Sequence, residues 1–156
     1  MRALVLMGFC LALAACGSRE ESATIGGATF TSNEGDGTAT ITTDKGTLST
    51  VDGAAAANVQ MPSFAPKYPG STILSAVKTE TDERTNHMVS IETGDSVDKV
   101  VAFYEKAFKD AGMTISSRMM AEDGGLMAAE GDGRKASIAV SFEDGKTSVV
   151  VNFSEA

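Results

Sequence analysis

Between Val97 and Ala111 apolar residues return every third or fourth position. Val97, Val100, Val101, Tyr104, Ala107, Phe108 and Ala111 fall on one stripe. Asp98, Lys99, Glu105, Lys106, Lys109 and Asp110 take the other face, and Glu105 stands four residues before Lys109, the favourable order for a helical ion pair. Gly94-Asp95-Ser96 precedes the stripe and Gly112 follows it. The spacing therefore predicts an amphipathic helix with Ser96 as N-cap and Gly112 as its stop.

On either side the period changes to two. Ile73–Thr79 and Thr85–Thr93 read as strands around the polar turn Thr81-Asp82-Glu83-Arg84. Pairing Thr79 with Thr85 sets Ile73 opposite Ile91 and Val77 opposite His87. Four more strands follow the helix. A two-residue turn at Asp144-Gly145 brings Val140, Ile138 and Ala136 against Val149, Val151 and Phe153 on one face. The same turn at Asp132-Gly133 adds Ala129 and Met127 to that face. Before these, a three-residue loop Asp123-Gly124-Gly125 places Met119 on Ala129, whereas a two-residue loop turns Arg118 inward; a one-residue slip inverts a whole face, so the longer loop is expected. Met113, Ile115 and Met119 then join the core.

One helix cannot bury its stripe alone and needs a sheet to lie on. The expected fold class is α+β: a mostly antiparallel sheet in the order β-β-α-β-β-β-β packed against one amphipathic helix, within residues 61–156. Residues 16–60 are rich in Gly, Thr, Ser and Ala, with few large apolar groups. They read as a tether containing a short hairpin, Thr38–Thr43 and Thr47–Val51 around Asp44-Lys45-Gly46, polar on both faces. The three prolines of the chain, Pro62, Pro66 and Pro69, lie between Met61 and Gly70 and mark a stiff connector into the folded part.

The start of the chain carries a third pattern. After Arg2 an apolar run from Ala3 to Ala15 ends at Leu13-Ala14-Ala15-Cys16. A positive start, a short apolar run and small residues at its end make a secretory signal covering residues 1–15. It is too short to span a bilayer, which takes about 20 apolar residues. Leu-Ala-Ala-Cys resembles the lipobox of bacterial lipoprotein precursors. That resemblance implies a diacylglyceryl thioether on Cys16, cleavage before it and acylation of the new amino terminus. Cys10 then leaves with the signal and no free thiol remains. The formal charge of −8 becomes one unit more negative, since Arg2 is the charge removed. Such a balance disfavours nucleic acid and anionic lipid as partners. Without a polybasic patch, attachment rests on the acyl chains, of which two or more anchor stably.

A second likeness runs through Pro66-Lys67-Tyr68-Pro69-Gly70, Thr93-Gly94-Asp95-Ser96-Val97, Val100-Val101-Ala102-Phe103-Tyr104 and Asp110-Ala111-Gly112. This succession resembles an uncharacterised α+β domain of bacterial lipoproteins, over Met61 to Phe153. It implies the architecture and the surface location, and it transfers no functional residue. Gly17 follows the modified cysteine where the Gram-negative sorting pattern would place Asp for inner-membrane retention. The resemblance thus implies the periplasmic face of the outer membrane.

Candidate chemistry is sparse. His87 is the single histidine, in a strand with Val89 and Ile91, and reads as structural. The acidic pairs Asp82/Glu83, Glu122/Asp123 and Glu143/Asp144 fall at turns. Asn33-Glu34-Gly35-Asp36-Gly37 lacks the ligand ladder of a calcium loop. Met88, Met113, Met119, Met120 and Met127 read as core filling rather than a soft-metal site, with Met120 outward beside Ala128. No nucleophile elbow, phosphate loop or dinucleotide fingerprint occurs. The expectation is no catalytic residue, no metal and no cofactor. Phe64 and Tyr68 in the connector read as a clasp over the sheet edge or, alternatively, as an exposed aromatic docking segment. The expected function is a membrane-anchored, non-catalytic interaction or scaffolding module with an envelope protein partner. The alternative is a carrier of a small ligand or lipid in a helix–sheet cavity lined by Val101, Phe108, Ile115 and Val151.

Overall fold

The computed structural model describes residues 20–155. Cys16, the proposed signal segment and the first residues of the tether lie outside them. The chain runs β1 (Glu20–Ile25), β2 (Ala28–Asn33), β3 (Thr38–Thr43), β4 (Gly46–Asp52), a short α1 (Gly53–Ala56), β5 (Thr72–Glu80), β6 (Thr85–Thr93), α2 (Val97–Asp110), β7 (Thr114–Ala121), β8 (Gly124–Gly131), β9 (Arg134–Glu143) and β10 (Lys146–Glu155). All ten strands form one antiparallel sheet in the order β1-β2-β3-β4-β5-β6-β10-β9-β8-β7.

The α+β expectation of six strands and one helix is therefore corrected to a sheet-dominated fold of ten strands. The segment expected as a tether supplies four of them. Its hairpin turns at Asp44-Lys45 as the local residues suggest, and Thr43 pairs with Gly46. A second hairpin, β1–β2, joins it, and β4 pairs with β5 through Val51↔Ala76 and Leu48↔Thr79. Nor is the meander polar on both faces. Opposite residues in antiparallel strands share a face, so Ala23, Phe30, Ile41 and Leu48 form one row. Threonines and serines hold the other, with Thr24 and Thr29 hydroxyls 3.1 Å apart.

α2 keeps the predicted stripe, with Val97, Val100, Val101, Tyr104 and Phe108 buried. Ser96 is the N-cap by backbone geometry, without a side-chain capping bond. At the other end the Gly112 N–H donates to Lys109 O (3.0 Å) and the Met113 N–H to Phe108 O (2.9 Å). This pair of bonds is a Schellman closure, and it needs the left-handed φ of +74° at Gly112. The stripe lies on Met127, Ala129, Ala136, Ile138, Val140, Val149 and Val151, all buried.

The turns at Asp132-Gly133 and Asp144-Gly145 hold both residues at positive φ, from 51° to 78°, and the registers of β8–β9 and β9–β10 are those read from the sequence. The β7–β8 turn is not. Ala121 pairs with Gly124 across a two-residue Glu122-Asp123 turn, and a bulge follows between Ile115 and Ser117. Arg118 thus faces the helix side opposite Met127, where it bonds Glu105 of α2 at 2.8 Å. Met119 is opposite Leu126 and 72% exposed. Met120 is opposite Gly125 on the helix side, not beside Ala128. A bulge between Ile73 and Ser75 preserves Ile73↔Ile91 while setting Val77 opposite Met88 and Lys78 opposite His87.

Candidate functional site

The helix–sheet interface offers no room for a guest. Phe108 and Val151 are fully buried and Val101 nearly so, while Ile115 packs at the margin of the same cluster. Five surface grooves among the described residues are lined by other side chains than Val101, Phe108 and Val151. The cavity expected there is corrected to a filled core.

Residues 59–70 form a strap over the same face. Phe64 is 3% exposed, its ring edge-on to Phe153 with centroids 6.1 Å apart. Phe153 in turn stacks on His87 at 4.6 Å. The Arg134 guanidinium lies 5.5 Å from the Phe64 centroid and donates to Ala111 O at the end of α2 (3.1 Å). One arginine thus ties strap, helix and the β8–β9 corner. Tyr68 is also buried, edge-on to Phe103, and its hydroxyl donates to Asp95 Oδ2 (2.9 Å). Lys99 donates to the other Asp95 oxygen (2.8 Å), and the Thr147 hydroxyl to the Asp95 carbonyl (2.6 Å). Phe64 and Tyr68 are thus both buried between the strap and the rest of the fold.

These contacts account for the shifted titrations. Hydrogen bonds from Lys99 and Tyr68 hold the Asp95 carboxyl below its ordinary value, and Lys109 does the same for Glu105. Burial lowers His87, helped by Lys78 and opposed by Glu155 and Glu80. Burial raises the phenol of Tyr104, whose hydroxyl has no hydrogen-bond partner among the described residues. None of these groups is a base set against a nucleophile. Among the described residues no three His, Cys, Asp or Glu side chains lie together as a metal site. Met113 and Met127 are core, whereas Met88, Met119 and Met120 are exposed at the surface. Asn33 and Asp36 bond each other at the β2–β3 turn (2.9 Å), and Asn33 Oδ1 accepts from the Gly35 N–H (3.1 Å).

One concavity lies on the face of the sheet away from α2. Val77, Met88, Asn152, Ser137 and Ala128 are successive partners across β5, β6, β10, β9 and β8. They line a groove of about 450 Å³ that reaches Ser116 on β7. A flat sheet has no groove; the twist accumulated over six strands makes one. Its floor mixes apolar side chains with amides and hydroxyls. Alternation leaves Met88 and Ala128 outside the core face, but it sets Val77 with Ile73, and only the bulge between Ile73 and Ser75 turns Val77 toward the groove.

Two comparisons gave no likeness: no curated protein and no solved structure matches the chain. A family model described as START domain-like matches residues 73–148, from β5 through α2 to the opening of β10, and over that stretch the chain is similar to that family.

Proposed function

We propose that this chain is a non-catalytic binding module for an apolar ligand or lipid, held at the periplasmic face of the outer membrane by acyl groups on Cys16. The observation that carries the binding half is the START domain-like match over residues 73–148. The groove framed by the matched strands, at about 450 Å³, has the size of a small-molecule site. Because the helix–sheet core is filled, the ligand belongs on the opposite face, against Val77, Met88 and Ala128. The lipobox-like Leu13-Ala14-Ala15-Cys16 supports the anchoring half.

The test is titration of the processed protein with the fluorescent fatty acid cis-parinaric acid. Met88→Glu sets a charge in the groove and should weaken binding at least about tenfold, since burying an unpaired charge against an apolar ligand is costly. Lys106→Ala, on the solvent face of α2, should leave affinity within about twofold. No binding, or equal binding in Met88→Glu, overturns the assignment. The protein-partner reading draws on the same uncovered face, where Val150, Ala139, Leu126 and Met119 share a row. Crosslinking in cells gives a discrete adduct under that reading and monomer under ligand binding.

A further inference from the structure

The meander β1–β4 precedes the matched region and takes no part in the groove of β5–β10. Its face away from α2 carries the row Ala23, Phe30, Ile41 and Leu48, flanked by Ile25 and Ala28. Ile25 is 71% exposed, Phe30 41% and Leu48 36%, and nothing among the described residues covers them. A shallow groove of about 620 Å³ runs along Ala23, Phe30, Ala39 and Ile41. Contiguous exposed apolar surface of this kind marks a contact site.

Chain geometry limits what can lie against it. The four residues from Cys16 to Glu20 span at most about 14 Å when extended. If Cys16 carries acyl chains, β1 opens within that distance of the headgroups, and its six residues add only about 20 Å. The hairpin β1–β2 cannot leave the neighbourhood of the bilayer. Of the two faces of the meander, one presents hydroxyls that bond one another, as Thr24 does with Thr29, and the other presents Ile25, Phe30 and Leu48. The apolar row contains no lysine or arginine, and Glu21 stands at its edge opposite Ser32. That charge pattern fits zwitterionic phospholipid headgroups of zero net charge rather than anionic ones.

We infer that the Ala23–Phe30–Ile41–Leu48 face of β1–β4 rests on the bilayer, so that the anchor and the meander together fix how the groove of β5–β10 is turned. This rests on the acylation proposed above. The chain contains no tryptophan, so one introduced indole reports alone. The acylated protein, purified from envelopes, is placed in vesicles of phosphatidylcholine and phosphatidylethanolamine, with and without brominated acyl chains. Phe30→Trp and Leu48→Trp should be quenched by the brominated lipid at least about twofold more than Thr42→Trp, which sits one residue from Ile41 on the opposite face. Two positions are used so that one poorly folding variant does not decide the matter.

Flotation with vesicles and equal quenching at all three positions overturns the docking and leaves the anchor standing. Flotation with protection of Phe30→Trp by a second copy, seen as a crosslinked dimer, also overturns it. Failure to float overturns the anchor, and the docking with it.

Discussion

Replacing Phe64 by Ala tests whether the proline strap is part of the core or merely lies on it. The ring is 3% exposed, edge-on to Phe153 at 6.1 Å and under the Arg134 guanidinium at 5.5 Å. Truncating a packed Phe costs about 3–5 kcal/mol. The edge-on pair accounts for about 0.5–1.5 kcal/mol of that, and the cation for about 0.5–1 kcal/mol. The strap is a surface segment and can settle into part of the void, so the lower end, about 3 kcal/mol, is expected. With a urea slope of about 1.5 kcal/mol/M, the midpoint should fall by about 2 M at unchanged slope. Circular dichroism reads the transition. A cycle with Arg134→Met should return a coupling of about 0.5–1 kcal/mol between the two side chains. A loss under about 1 kcal/mol, or no coupling, would refute the clasp and return Phe64 to the pool of free aromatic groups.

Three further outcomes follow from local geometry. Gly46 sits at φ +145°, and a Cβ there would lie 2.1 Å from the Glu80 carbonyl oxygen; Gly46→Ala should cost about 2 kcal/mol or more and speed amide exchange across β4–β5 without altering α2. Asp95 and Glu105 have depressed carboxyl values, chiefly through Lys99 and Lys109. Their contribution is present above the unfolded values near 4 and is lost as pH falls through the folded ones. Asp95→Asn with Glu105→Gln should therefore flatten Tm between pH 5 and 2, and a slope equal to wild type would contradict the assignment. His87, lowered by burial, should titrate by NMR with a midpoint below 6.5. Its stabilisation is complete above that value and is lost as pH falls, so His87→Phe should remove a drop in Tm between pH 7 and 5.

The half of the fold that was legible in the sequence is the half with rigid turns and strong contrast. Asp132-Gly133 and Asp144-Gly145 admit a single two-residue geometry, and each fixes the parity of two strands. The helix announces itself through a stripe of large residues and a glycine stop. The Glu122-Asp123 turn failed because Gly124 and Gly125 look like loop but serve as strand. A Cβ on Gly124 would meet the Val140 carbonyl at 2.5 Å, and Gly125 leaves room for the Met120 thioether. The longer loop turns Met119 inward and Arg118 outward, the reverse of the structure. The meander was missed for another reason: each of its strands carries one large apolar residue at most in the shared row, and the row exists only after four strands are set side by side. Sequence could not show the groove either, since strand order, with β6 beside β10, is a property of the finished sheet.

That order has a bearing on how the protein is made. β10 is the seam between two blocks, β1–β6 on one side and β7–β9 on the other. Until Lys146–Glu155 arrives, two raw strand edges and the apolar sides of Val89, Ile91, Ile138 and Val140 stay open to neighbours. β10 follows the other nine strands along the described residues, so the sheet closes only when it docks. Clipping that final segment would leave a pair of unfinished halves rather than a smaller protein.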